Sequence, residues 1–285
     1  MVGSHGLDLN HCGHGLRLGE VEITRVEDYH GPGFKSTFMF PAFRPEMWQA
    51  QRDWLVPHFY DPEADRIRTS IHSWLVRTPH HTILIDGCIG NHKQRPTNER
   101  FHMRHEPWIE RLAAAGAHPD EVDFVMCTHL HSDHVGWNTR LENGRWVPTF
   151  RNARYLFTRA EFERWDERRP DHQPRESEQF VFADSVLPVV EAGQMVLVDD
   201  GHNVDDLLTV ESAPGHTPGH VKIRLAAAGK QAMFCGDVIH HPIQLPYPEV
   251  SSVFDDDPER ALHTRLRMLE DVAAHGVVLL PTQFA

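Results

Sequence analysis

The sequence predicts a layered α/β fold, and three features carry that reading. Short β-branched apolar runs alternate with helical segments along all 285 residues. No linker-like stretch divides the two halves, so residues 1–285 read as a single domain with ample core. Several apolar runs end in loops rich in histidine and aspartate, which places chemistry at the strand ends.

In chain order, residues 1–17, including "HCGHG", read as a flexible tail. The segments at 20–26, 67–76 and 81–87 read as strands from their β-branched content and turn-forming close. "EPWIERLAAAG" (106–116) has helical spacing and a glycine stop. "VDFVMCTH" (122–129) is a short apolar run expected to be a buried strand, and 152–165 reads as strand then helix. Four short strands follow between 195 and 237. "DPERALHTRLRMLEDVAAHG" (257–276) opens on an Asp cap and closes on Gly, and "VVLLP" (277–281) is a last buried strand.

Composition narrows the function. Twenty-eight basic against 41 acidic residues give a net charge of -13, a field that repels nucleic acid and anionic membrane. No apolar stretch is long enough to span a bilayer, and no signal peptide is readable. Cys12, Cys88, Cys127 and Cys235 show no CxxC spacing, so we expect free thiols in a reducing cytoplasm. Histidine, at 23 residues, is the unusual component and points to metals or proton transfer.

"THLHSDHVGW" (128–137) concentrates that histidine. His129 and His131 alternate along an extended segment and can face one ion; Asp133 and His134 follow a turn and can face another. Imidazole nitrogen and carboxylate oxygen suit zinc. "SAPGHTPGH" (212–220) adds His216 from a Gly/Pro-shaped loop, and "FCGD" (234–237) ends a strand on Asp237.

These three motifs, in this order, resemble the metallo-β-lactamase superfamily. The resemblance implies an αββα sandwich with a metal site at the sheet edges. It implies His129, His131 and His216 on one metal, Asp133 and His134 on a second, and Asp237 bridging two Zn2+ ions, with Mn, Fe or Co as alternatives. "LIDG" (84–87) resembles the early strand-and-turn element, with Asp86 supporting the metal loop. The family usually places a histidine after its last strand; "VLLPTQFA" has Gln283 there, a weaker neutral donor, so the second metal is expected to be held less tightly. The spacing of the motifs is similar to the lactonase and esterase branches.

The implied activity is hydrolysis of carboxylic esters or lactones, of the acyl-homoserine lactone or aryl ester type. A hydroxide held by the metals would attack, and Asp133 would orient it. His240 sits where the lactonases carry a tyrosine, so it is a candidate for polarising the substrate carbonyl. His220 repeats the "GH" pattern beside the metal loop. Organophosphate triesters and β-lactams are alternatives, as is a metal-crippled binding protein.

Two segments bear on substrate. Residues 34–60 hold 8 of the chain's 26 aromatics, Phe38 and Phe40 among them; they read as core or a homodimer face, or as an apolar lid for the substrate. In the loop 87–107, Lys93, Arg95, Arg100 and Arg104 oppose Glu99 alone between 92 and 104. That loop is either solvated or a rim, with Lys93 and Arg95, that steers anionic substrates.

Overall fold

The computed structural model describes residues 15–285. From its start the chain forms β1 (Gly15–Leu18), β2 (Val21–Lys35), α1 (Ser36–Met39), α2 (Pro45–Leu55), β3 (Tyr60–Asp61), β4 (Arg66–Arg77) and β5 (Thr82–Ile85). A long loop leads to α3 (Trp108–Ala114), β6 (Phe124–Met126), α4 (Ser132–Val135), β7 (Thr139–Glu142), β8 (Arg145–Pro148), β9 (Arg154–Thr158), α5 (Arg159–Trp165) and α6 (Leu187–Glu191). Then come β10 (Met195–Val198), β11 (Asn203–Val204), β12 (Leu208–Ser212), β13 (Val221–Ala227), β14 (Lys230–Phe234), α7 (Pro258–His275) and β15 (Val278–Leu280).

Two mixed sheets result. The larger runs β1-β2-β4-β5-β6-β9-β10, with β3 on β4, and is parallel from β5 to β10. The smaller runs β11-β12-β13-β14-β15, and only β14 and β15 are parallel.

Side-chain alternation along the strands builds the layers. Ile83 and Ile85 of β5 and Met126 of β6 join Ile223, Leu225 and Phe234 of the smaller sheet in one buried cluster between the sheets. Leu84 and Val125, one residue out of phase, pack instead with Trp108 and Leu112 of α3, Phe162 of α5 and Val189 of α6. On the far side of the smaller sheet, Met233 and Leu279 meet Met268 and Leu269 of α7. The order is therefore helix, sheet, sheet, helix, the αββα sandwich expected.

α7 keeps its expected ends. The Asp257 side chain accepts from the Arg260 N–H, and Gly276 takes the left-handed conformation at φ 62°.

Three expectations need correction or division. Residues 15–17 of the supposed tail belong to β1, where Leu16 pairs with Ile23; residues 1–14, and Cys12 with them, lie outside the described residues. β2 does not stop near 26 but runs through Gly31, Pro32 and Gly33, residues that locally signal a turn. Pairing with the long β4 carries it, with register shifts between Glu27 and Tyr29 and between Pro32 and Lys35.

The aromatic segment divides in two. Phe40, Phe43, Trp48 and Tyr60 are buried in one cluster, Trp48 stacked on Tyr60 with centroids 4.0 Å apart. Phe40 is therefore core and not a substrate wall, while Phe38 is 53% exposed.

Candidate metal centre

The strands deliver the ligand candidates to one edge of the sandwich. β6 ends at Met126 and releases residues 127–131, α4 carries Asp133 and His134, the loop after β12 carries His216, and the turn after β14 carries Asp237. The loops lock onto each other through backbone. Gly87 N–H donates to His134 O at 2.6 Å, Trp137 N–H to Gly87 O at 2.6 Å, and Val221 N–H to Thr128 O at 2.9 Å. Two glycines permit this approach. A Cβ on Gly136 would lie 1.8 Å from Ile89 O; one on Gly236, at φ 49°, would lie 2.7 Å from both His220 Nε2 and Thr128 Oγ1.

Three groups of ligand atoms form. His131 Nδ1 lies 3.0 Å from His129 Nε2 and 2.9 Å from His216 Nε2. His134 Nε2 lies 3.2 Å from Asp237 Oδ1, and these two group with His129. Asp237 Oδ2 lies 3.5 Å from His216 Nε2 and 3.3 Å from His240 Nε2, a third group that sequence reasoning did not separate.

Second contacts set the tautomers. Asp86, at φ 61°, accepts from the Thr128 N–H and hydroxyl and from His134 Nδ1–H at 2.9 Å. Asp255 accepts from His216 Nδ1–H at 3.1 Å and lies 3.4 Å from the Arg265 guanidinium. Each bond leaves the opposite nitrogen, Nε2, free to face the cluster.

The electrostatics favour a cation there. Burial, reinforced by the neighbouring histidines, holds His129 and His131 well below the usual imidazole range, so both present lone pairs. Burial opposes charge on His134, but Asp237, Asp86 and Asp133 outweigh it and hold its pKa high. Burial likewise opposes the Asp237 carboxylate, yet His134 and His240 keep it ionised.

His131 Nδ1 faces two ring nitrogens at 2.9–3.0 Å, and one Nδ1–H could bond fully to only one of them, whereas a cation at this point would engage all three. Zinc–nitrogen bonds of about 2.0–2.1 Å in a tetrahedral site put ligand nitrogens roughly 3.3 Å apart. Asp237 Oδ1 and both His240 nitrogens are moreover buried without a hydrogen-bond partner. These residues fit divalent metal.

Gln283 reaches the predicted place from beyond β15. Its Nε2 donates to Asp133 Oδ2 at 2.9 Å and lies 3.4 Å from His134 Nε2. In this orientation the amide presents a donor; rotation of the amide would turn Oε1 toward the ligands.

Sequence reasoning missed two holding residues. Glu161 of α5 is buried and accepts four donors: Leu130 N–H at 3.1 Å, Trp165 Nε1–H at 2.6 Å, Thr217 Oγ1–H at 2.7 Å and Gly219 N–H at 3.2 Å. It thereby joins the His129–His131 loop to the His216 loop. Asp255 lies in "FDDDPER", where only Asp257 showed a signal, as a helix cap.

The pocket at the centre has a volume of about 230 Å³. Asp133, Asp237, His240 and Gln283 line it, with an aromatic wall of Phe34, Phe38 and Phe254. His220 does not line it. Its Nε2 accepts from the Asp237 N–H at 3.0 Å, so it shapes the Asp237 turn and does not contact substrate.

Lys93 is also corrected. Its ammonium is fully buried, bonded to Thr139 Oγ1 and Asp184 O and lying 3.6 Å from the Trp146 ring centre. Arg95 reaches the pocket wall but is held by Asp184 through two 2.8 Å bonds. The two cations are structural ties, because Asp184 draws them inward from the solvated rim.

No helix among the described residues is long and apolar enough to cross a membrane. Cys88, Cys127 and Cys235 are free and buried.

The chain is 31% identical over 173 residues to the N-acyl homoserine lactonase AttM of Azorhizobium caulinodans, covering 55% of this chain and 60% of that one. It is 27% identical over 175 residues to a hydroxyacylglutathione hydrolase of Aeromonas salmonicida, covering 60% and 47%. The matched part thus spans less than two thirds of either relative. Among solved structures, the hydrolase AbOPH of the beta lactamase superfamily superimposes with a TM-score of 0.76 at 27% identity, covering 95% of this chain and 89% of that one. AidC, a dizinc quorum-quenching lactonase, has the same fold, with a TM-score of 0.76 at 19% identity and coverage of 94% and 89%. The metallo-beta-lactamase superfamily description matches residues 66–275, which contain every ligand candidate except Gln283, and the chain belongs to that superfamily.

Proposed function

We propose that this chain is a dinuclear metal-dependent hydrolase of carboxylic esters or lactones. The observation that carries the reading is the pair of ligand groups sharing His129, one closed by His131 and His216 and the other by His134 and Asp237, beside a pocket with an aromatic wall. His129, His131 and His216 would hold one ion; His134 and Asp133 would hold the other, with Asp237 between them. Similarity to AttM supports the lactone or ester class. When bound, zinc-class ions polarise a carbonyl and bring the pKa of water down to roughly 7.

The chain's own groups do the rest. The Asp133 side chain is partly exposed to the pocket, with Oδ2 fixed by the Gln283 amide, so its carboxylate can orient the attacking water and take its proton. His240 lines the same pocket, its Nε2 3.3 Å from Asp237 Oδ2; a ring N–H of His240 would donate to the substrate's carbonyl or departing oxygen. Phe34, Phe38 and Phe254 would receive the acyl or aryl group and exclude water.

A panel of chromogenic esters, acyl-homoserine lactones, a phosphotriester and a β-lactam tests this, with zinc, manganese, iron and cobalt each supplied. Metal-dependent turnover of esters or lactones is the expected result. Exclusive turnover of the phosphotriester or β-lactam would replace the substrate class. Metal binding without turnover of any compound would favour a binding protein, a reading supported by the Gln283 amide donor facing Asp133.

A further inference from the structure

Three arginines line the pocket, and their partners differ. Arg95 is neutralised by Asp184 at 2.8 Å, and Arg175 by Asp256 at 2.8 Å. Arg100 forms no ion pair with a carboxylate among the described residues; its guanidinium makes only a long 3.5 Å contact to Pro32 O and a hydrogen bond with the Tyr29 hydroxyl. A guanidinium carries five N–H donors.

Aromatic rings hold Arg100 in place. Its guanidinium carbon lies 4.1 Å from the Phe34 ring centre, 5.4 Å from Phe101 and 5.9 Å from Tyr29. Cation–π contact fixes the plane of the guanidinium while leaving its edge open. Phe34 is also part of the pocket wall, with centroids 5.3 Å from Phe38 and 5.2 Å from Phe254. An apolar platform thus adjoins an unpaired, orientated cation in a chain of net charge -13.

From this juxtaposition we propose that Arg100 is a specificity-determining residue that recognises a carboxylate carried on the aryl or acyl group of the substrate. The proposal rests on the ester or lactone reading above and narrows it to anionic substrates. The carboxylate pairs edge-on with the guanidinium while the ring or chain packs on Phe34, Phe38 and Phe254. The fork geometry of arginine matches a carboxylate in a way that lysine does not.

The test has two arms. In the first, para-acetoxybenzoate and its neutral isostere para-acetoxybenzamide are compared by kcat/KM. The wild type should prefer the anion, and Arg100→Met should reduce that preference by about ten- to a hundred-fold, the size of a lost charged hydrogen-bond pair. Arg100→Lys should recover only part of it. In the second arm, benzoate and benzamide are titrated into metal-free protein, where no metal can capture the carboxylate.

Benzoate binding that is tighter than benzamide binding and lost in Arg100→Met supports the proposal even if neither ester is turned over, an outcome that would fell only the ester reading. An unchanged anion preference in Arg100→Met, or equal binding of benzoate and benzamide to the metal-free wild type, overturns it. Circular dichroism of each variant keeps a folding failure from being read as either result.

Discussion

Gln283 Nε2 donates to Asp133 Oδ2 at 2.9 Å, so the residue at the position of an expected histidine spends its amide on a neighbouring carboxylate. Gln283→His should replace that donor with an imidazole nitrogen, the stronger zinc ligand. The second ion should bind about tenfold or more tightly, and kcat should rise. Competitive metal titration together with ester kinetics checks both; no change in either would place the missing ligand elsewhere.

His129 belongs to both ligand groups centred on the histidine loop. His129→Ala should lose the ion held with His131 and His216 and essentially all turnover. Wild type should bind close to two ions per chain, measured by elemental analysis after gel filtration. Full activity in demonstrably metal-free protein would end the metal reading.

Glu161 ties the two ligand loops through four donors, and an amide in its place would turn N–H groups against two of them. We expect Glu161→Gln to weaken metal binding by about 10–100-fold, the usual cost of disturbing groups behind metal ligands. Val189→Ala, in the outer core and away from the ligands, should lower Tm while leaving metal affinity unchanged. If the two variants lose metal affinity equally, Glu161 acts through general stability and not by positioning.

Lys93 makes stability depend on pH. Burial pushes its pKa down to about 7, against the attraction of Asp184, from 10.5 in an exposed chain. Between those values the unfolded chain holds one more proton than the folded chain, so this group's contribution to stability rises with pH through the window, by at most about 1.4 kcal/mol per pH unit. Below about 7 both states are protonated and the contribution is flat. Urea unfolding of wild type and Lys93→Met at pH 7 and 9 should show the gap moving in favour of wild type at the higher pH. A gap independent of pH would mean that Lys93 does not titrate there.

Much of the fold was legible because its signals are local. β-branched runs with turn-forming closes marked β4 and β5, short apolar runs marked β12, β13 and β14, and the Asp257 and Gly276 caps marked α7. The ligand set was legible for a related reason: "HLHSDH", His216 and Asp237 each follow an apolar run, and such runs end at a sheet edge. What those residues touch required three dimensions. β2 crosses a Gly-Pro-Gly stretch because β4 pairs with it from some forty residues away.

The basic loop shows the limit most clearly. Lys93, Arg95 and Arg100 look alike in sequence, and charge alone assigns all three to a solvated rim. Asp184, about ninety residues later, draws Lys93 and Arg95 inward, while Phe34 and Phe101 hold Arg100 at the pocket. Local sequence determined which side chains could bind metal or carry charge. Only tertiary packing decided which charges were matched, because burial makes an ion costly until a partner from elsewhere in the chain meets it.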